Sequence, residues 1–80
     1  MDFQYATHAE EKISERHIDR HLIEETVLSP DKILTSSSGR KIAQKIIAHK
    51  LLRVVYEEKE GVYIVITAYY TKTERYRRWQ

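Results

Sequence analysis

Cysteine is absent from this sequence of 80 residues, which also holds only two glycines and one proline. Without cysteine the chain cannot be a disulfide-bonded scaffold, and a zinc site would need histidine and carboxylate ligands alone. No apolar run approaches the ~18 residues of a membrane span, and the N-terminal stretch lacks the apolar core of a signal peptide. We therefore expect a cytoplasmic protein without membrane contacts. A chain of this length supports one hydrophobic core, and so a single domain over residues 1–80.

The formal net charge of +2 conceals an uneven distribution of charge along the chain. Residues 1–31 carry eight acidic and three basic side chains, a net charge of −5, whereas residues 32–80 carry eleven basic and four acidic ones, a net charge of +7. Such a division predicts one surface for solvent or a partner and another for an anion. A solvated pair of helices beside a moderately basic sheet would give the same numbers.

Hydrophobic periodicity predicts two helices and several strands. Residues 2–5 alternate as a strand does, and Thr7 and Glu10 have the spacing of a capping box for a helix over about residues 8–17. Asp19 is a suitable N-cap for a second helix over residues 20–28. The period then becomes two, which predicts strands over residues 32–35, 40–49, 51–57 and 62–70. We expect an α+β fold with two N-terminal helices packed on one face of a curved antiparallel sheet of three to five strands.

Several classes of active site are excluded by the residue types present. No glycine-rich phosphate loop occurs, and a Ser–His–Asp triad would need a larger rigid scaffold. His17 and His21 are four positions apart, but the expected break between the helices separates them and no carboxylate supplies a convincing third ligand. We therefore expect neither a metal nor a cofactor.

The basic and aromatic residues of the predicted strands remain as candidates. Lys41 and Lys45 share one parity, which predicts a cationic side for their strand. Arg53 lies in the most apolar strand, where a guanidinium either pairs with a buried carboxylate or faces an anion site. In the last strand the even-numbered residues are uniformly apolar and should face the helices. The odd-numbered ones, including Tyr69, should line the other face.

Helices on one face and cations with tyrosines on the other would form a concave surface suited to RNA. Phosphates would bind the cations, and unstacked bases would lie on tyrosine rings. The residues expected to contact RNA are Arg16, Lys41, Lys45, Lys72 and Arg77. Each residue also has a structural explanation: Arg53 as an ion-pair partner, the lysines as solvated strand residues, and the basic tail as a solubilising end.

Five segments of the sequence resemble a family of small uncharacterised bacterial domains. They are Tyr5-Ala6-Thr7-His8-Ala9-Glu10, Glu15-Arg16-His17-Ile18, Ser29-Pro30-Asp31, Leu52-Arg53-Val54-Val55-Tyr56 and Val65-Ile66-Thr67-Ala68-Tyr69. That family is grouped with BrnT and, more remotely, with the RelE/ParE-type toxins. The resemblance covers nearly the whole chain, and the basic residues 73–78 also look like the C-terminal segment of BrnT-type proteins.

The resemblance implies a RelE/BrnT-like fold and a metal-independent endoribonuclease toxin of a type II toxin–antitoxin system. Its partners would be RNA, with mRNA on or off the ribosome as target, and a cognate antitoxin protein. Cleavage of RNA without a metal needs a base near the 2′-hydroxyl, cations for the charge that builds on the phosphorane, and an acid for the leaving oxygen.

These roles are assigned by the resemblance to a small set of residues. The expected catalytic residues are His8, Arg53, Tyr69, Arg75 and Tyr76. Arg53 would bind the scissile phosphate, with Lys45 or Arg75 assisting it, and one histidine or tyrosine would carry the proton. Histidine titrates near neutrality, whereas a tyrosine needs nearby cations to do so.

Two other functions are compatible with the same features. A non-catalytic module would bind RNA or an acidic protein on the basic face, with a steep salt dependence and no cleavage products. A ParE-like gyrase inhibitor would arrest growth with DNA damage while RNA stays intact.

Overall fold

The structure, a computed structural model, describes residues 2–36 and 38–73. Its elements follow one another in the order β1 (Asp2–Tyr5), α1 (Thr7–Glu15), α2 (Arg20–Leu28), β2 (Lys32–Thr35), β3 (Lys41–Ile47), β4 (Lys50–Lys59) and β5 (Val62–Lys72). The predicted α+β class is confirmed. The helices and strands lie where the sequence predicts them, with ends that differ by at most two residues.

The strands form one mixed sheet in the order β1-β5-β4-β3-β2. Strands β2 to β5 form an antiparallel meander, but β1 is parallel to β5, with Asp2 opposite Val62 and Tyr5 opposite Val65. The prediction of an antiparallel sheet is therefore wrong for this pair. Because β1 and β5 are far apart in the chain, no hairpin requires them to be antiparallel.

Both helices pack on one face of the sheet, as predicted. In α1 the buried side chains are Ala9 and Ile13, and in α2 they include Ile23 and Val27. The strand residues of the same core cluster are Ala43, Leu52, Val54, Tyr56, Val65 and Ala68. The cluster joins every element except β2, which lies at the sheet edge beyond β3.

The two helices begin differently. Asp19 caps α2, because its carboxylate accepts from the His21 backbone N–H at 2.8 Å. Thr7 is already inside α1, whose N-cap is Ala6 and has no side-chain cap hydrogen bond. The capping-box prediction is therefore wrong. The Glu10 side chain instead forms an ion pair with Arg20, at 2.8 Å between Oε1 and Nη2.

One extra residue interrupts β5. Val55 lies opposite Thr67 and the next residue, Tyr56, lies opposite Val65, so Ile66 has no partner on β4. This is a β-bulge, in which two residues of one strand oppose one residue of the other. Because side chains alternate between the faces of a sheet, the bulge reverses the parity of the residues beyond it.

The bulge changes which residues of β5 face the helices. Tyr63 and Val65 contribute to the helix-side core before it, and Ala68 and Tyr70 contribute after it. The prediction that the even-numbered residues face the helices is right only beyond the bulge. Tyr69 consequently lies on the face opposite the helices.

Candidate functional site

The face of the sheet opposite the helices, which we call the second face, carries a row of polar side chains. Lys32 on β2 lies opposite Gln44 on β3, Gln44 lies opposite Arg53 on β4, and Arg53 lies opposite Tyr69 on β5. Cross-strand partners share a face, with side chains about 5 Å apart. We call these four residues the Arg53 row.

Apolar side chains border the Arg53 row on both sides. By register they are Leu34, Ile42 and Val55 towards one end of the sheet, and Ile46 and Leu51 towards the other. Leu51 is fully buried. A few polar groups within an apolar surround are typical of ligand sites, where the polar groups fix the orientation of the ligand.

Arg53 is the best buried cation of the row, with 6% of its surface exposed. Its guanidinium carbon lies 5.6 Å from the centroid of the Tyr69 ring, a cation–π contact that joins two of the predicted catalytic residues. We expected Arg53 on a face open to phosphate. With 6% exposure, an RNA phosphate reaches it only when the groups around it move.

Gln44 and Lys32 are the members of the row that sequence reasoning missed, and Gln44 is the more unusual of the two. It is 0% exposed, and neither its amide nitrogen nor its amide oxygen makes a hydrogen bond with residues 2–36 or 38–73. Buried amides in native proteins nearly always have partners, so this one needs an explanation. The available signal was a glutamine between Ile42 and Ile46 on one side of a strand. Without the register, nothing connected it to Arg53.

Lys41 and Lys45 are not on the second face. They share the parity of Ala43, whose side chain is in the helix-side core. The Lys45 ammonium donates to the Ser29 carbonyl at 3.0 Å and lies 3.4 Å from the Glu25 carboxylate. The prediction that these lysines share a cationic face with Arg53 is therefore wrong. In their strand the small Ala43 is the residue covered by the helices, and the lysine stems lie on either side of it.

Two further candidates are His8, within α1, and Arg16, the C-cap residue of α1. The His8 side chain is 89% exposed, and its Nδ1 lies 3.8 Å from the Glu11 carboxylate. Arg16 donates from Nη1 to the Ala68 carbonyl of β5 at 2.8 Å. The sheet separates His8 from the Arg53 row, whereas Nη1 of Arg16 also donates to Oγ1 of Thr67 at 3.5 Å, and Thr67 lies two positions before Tyr69 on β5. The structure therefore does not bring His8 together with Arg53, and it gives Arg16 a structural contact.

The remaining candidates lie at or beyond the end of β5. Lys72 is exposed and lies opposite Lys50, at the last position of the strand. Arg75, Tyr76 and Arg77 lie outside the described residues. Their predicted roles are therefore not assigned to positions in the fold.

An acidic side chain also lies on the second face, four positions along β4 from Arg53. The Glu57 carboxylate accepts from Arg40 Nε at 3.0 Å, and this hydrogen bond lowers the pKa of Glu57. A carboxylate that is stabilised in its ionised form is a poor general acid at neutral pH. In the part of the chain that the structure describes, His, Asp and Glu side chains form no group of three that could hold a metal ion.

One comparison with known proteins decides the family. A family model described as a domain of unknown function, DUF4258, matches residues 5–70. The chain belongs to the DUF4258 family. No curated protein and no solved structure matches it. The matched range includes the whole Arg53 row, from Lys32 to Tyr69.

The site of this DUF4258 domain therefore contains two cations, one amide and one aromatic ring. A guanidinium and an ammonium bind phosphate, a tyrosine ring stacks with a base, and an amide pairs with a base edge. The groups of the row that could transfer a proton are the Tyr69 hydroxyl and the Lys32 ammonium. Within residues 2–36 and 38–73, no helix is long and apolar enough to cross a membrane.

Proposed function

We propose that this domain is a metal-independent endoribonuclease of the RelE/BrnT type, the toxin of a type II toxin–antitoxin pair. The observation that carries the proposal is the Arg53 row, in which the guanidinium lies over the Tyr69 ring at 5.6 Å, with Lys32 two strands away. Arg53 and Lys32 would stabilise the charge that develops on the scissile phosphate. The RelE/BrnT relationship itself rests on the segments quoted from the sequence.

Tyr69 is the proton carrier in this proposal. Its ring centroid lies 5.6 Å from the Arg53 guanidinium carbon, on the face of the sheet that carries the Arg53 row. His8 is not retained in this role, because the sheet lies between it and Arg53. The cognate antitoxin would neutralise the toxin by covering the second face with an acidic or amphipathic segment.

A non-catalytic RNA-binding module is the second candidate, and a specific observation favours it. The Arg53 row has no histidine or carboxylate, and Glu57 is held ionised by Arg40, so acid–base groups on the described second face are few. In that case the same row would bind RNA and leave it intact.

The test uses purified protein and a single-stranded RNA of mixed sequence in EDTA, with products separated on a gel. We expect the wild type to cut the RNA and Arg53→Met to cut it about 10²–10³-fold more slowly, because a charge that stabilises the transition state is lost. Arg40→Met is the matched control, since Arg40 is an exposed arginine that pairs with Glu57. Thermal melts of all three proteins check that they fold.

Tyr69→Phe separates the two candidate functions. It keeps the ring and removes the hydroxyl, so it should abolish cleavage and preserve RNA binding if the hydroxyl carries the proton. A wild type that binds RNA without cutting it would favour the binding module. A folded wild type that neither binds nor cuts RNA, with or without ribosomes, would overturn both.

A further inference from the structure

The buried amide of Gln44 lies directly beside the guanidinium of the Arg53 row. Gln44 is 0% exposed, it is the cross-strand partner of Arg53, and its Oε1 and Nε2 atoms have no hydrogen-bond partner among residues 2–36 and 38–73. A buried amide without partners destabilises a fold, whereas an apolar side chain of similar length would not. On the same side of β3, the neighbouring positions are occupied by Ile42 and Ile46. A polar residue between two isoleucines suggests a ligand.

The chemistry of the amide narrows the ligand. A glutamine side chain offers donors and an acceptor side by side, which is the complement of the adenine edge formed by N6 and N7. Guanine presents two acceptors on the corresponding edge and is read best by arginine or lysine. Lys32 and Arg53 flank Gln44 on the adjacent strands, each about 5 Å away, and supply charges for the phosphates next to the base.

We propose that Gln44 is a specificity-determining residue that pairs with an adenine of the bound RNA strand. The inference rests on the proposed function and deepens it, because it names the base that the Arg53 row prefers. Tyr69, on the other side of Arg53, would stack with a neighbouring base without selecting it. Since Gln44 is 0% exposed, the adenine displaces neighbouring groups as it binds, and association is slow for that reason.

The test measures binding alone, with 2′-O-methyl oligoribonucleotides that cannot be cut because the attacking hydroxyl is blocked. Fluorescence anisotropy compares one oligonucleotide that contains a central adenine with three that carry guanine, cytosine or uracil there. The wild type should prefer adenine by about 5- to 150-fold, the range expected for one bidentate amide–base pair. Gln44→Met should bind all four about equally, and its melting temperature should equal or exceed that of the wild type.

The matched control is Gln4→Met, because Gln4 is an exposed glutamine at the same face of β1. It should leave the preference for adenine unchanged. If Gln44→Met does not fold, Gln44→Glu replaces it, and the preference should then move towards cytosine, whose N4 amine donates to a carboxylate.

Each outcome separates this inference from the proposed function. Equal binding of the four oligonucleotides by the wild type would overturn the role of Gln44 and leave the RNA proposal standing. A preference for adenine that survives Gln44→Met would also overturn it. A wild type that binds none of the oligonucleotides would overturn both.

Discussion

At the scale of single residues, Tyr5 makes a contact that depends on pH. Its hydroxyl donates to the Glu24 carboxylate at 2.8 Å, and the Arg20 guanidinium lies 4.6 Å from the centroid of its ring. Burial and then the bond to Glu24 raise the pKa of Tyr5 well above its usual range. Burial also raises the pKa values of Tyr56 and Tyr70.

These raised pKa values predict a loss of stability in alkali. Below about pH 10 the tyrosines are protonated in both the folded and the unfolded chain, so they add no pH dependence. Above that pH the unfolded chain releases the protons that the folded chain retains, and the free energy of unfolding falls as pH rises. Tyr5→Phe should make this fall shallower. The measurement is the free energy of unfolding in urea from about pH 8 to about pH 11, which covers roughly three pH units around the ordinary tyrosine pKa. Equal slopes for wild type and variant would contradict the assignment.

Residue identity alone could not reveal the candidate site. Arg53 could be singled out because a guanidinium in an apolar strand is unusual in itself. Tyr69 could be singled out because the odd-numbered residues of the last strand are expected on the face opposite the helices. Lys32 and Gln44 could not be singled out. Gln44 is important because it lies opposite Arg53, and Lys32 because it lies opposite Gln44. That relation depends on register, which is set by contacts between strands.

At the scale of elements, α2 is the part of the fold that local sequence specifies best. Its bounds, Arg20–Leu28, and its N-cap were both predictable, because Asp19 followed by an amphipathic pattern is a complete local signal. The bulge at Ile66 was not predictable. Nothing in the run of β-branched residues marks the position at which one of them loses its partner on β4.

The caps of the two helices allow a paired test. Asp19→Ala removes the acceptor of the His21 N–H and should lower the free energy of unfolding by about 0.5–2 kcal/mol. For a domain of this size that corresponds to a drop in Tm of about 4–8 °C per kcal/mol. Thr7→Ala is the control, since α1 has no side-chain cap bond, and it should change stability by less than about 0.5 kcal/mol. Equal losses for both variants would contradict the cap assignments.

At the scale of the whole molecule, the division of charge along the chain is partly compensated by contacts. The acidic first part and the basic remainder meet where Lys45 of β3 lies 3.4 Å from Glu25 of α2. Lys41 forms an ion pair with Glu58 of β4, and Arg40 forms one with Glu57 of the same strand. The cations of the Arg53 row lie on the other side of the sheet from Lys45. The position of the Arg53 row is therefore better evidence for an RNA-binding surface than the net charge of the chain.

Salt dependence of RNA binding tests this distribution. If the Arg53 row engages two to four phosphates of a single strand, raising the salt from 50 to 200 mM should weaken binding about 7- to 50-fold, from a slope of ~0.7 per phosphate. Lys32→Gln should reduce the slope by ~0.7. Lys59→Gln should not, because Lys59 pairs with Glu57 at the far end of β4. An unchanged slope for Lys32→Gln would show that Lys32 does not contact the phosphates of the RNA.

The parallel pairing of β1 has a consequence for the order in which the molecule can assemble. Asp2 lies opposite Val62, sixty positions later in the chain. During synthesis β1 therefore emerges before its neighbour and stays unpaired until β5 has been made. Contacts between such distant positions slow folding, because a long loop must close before they form. The residues of β1 are thus synthesised before the rest of the sheet but are among the last to pair, and the nascent sheet has an unpaired edge until then.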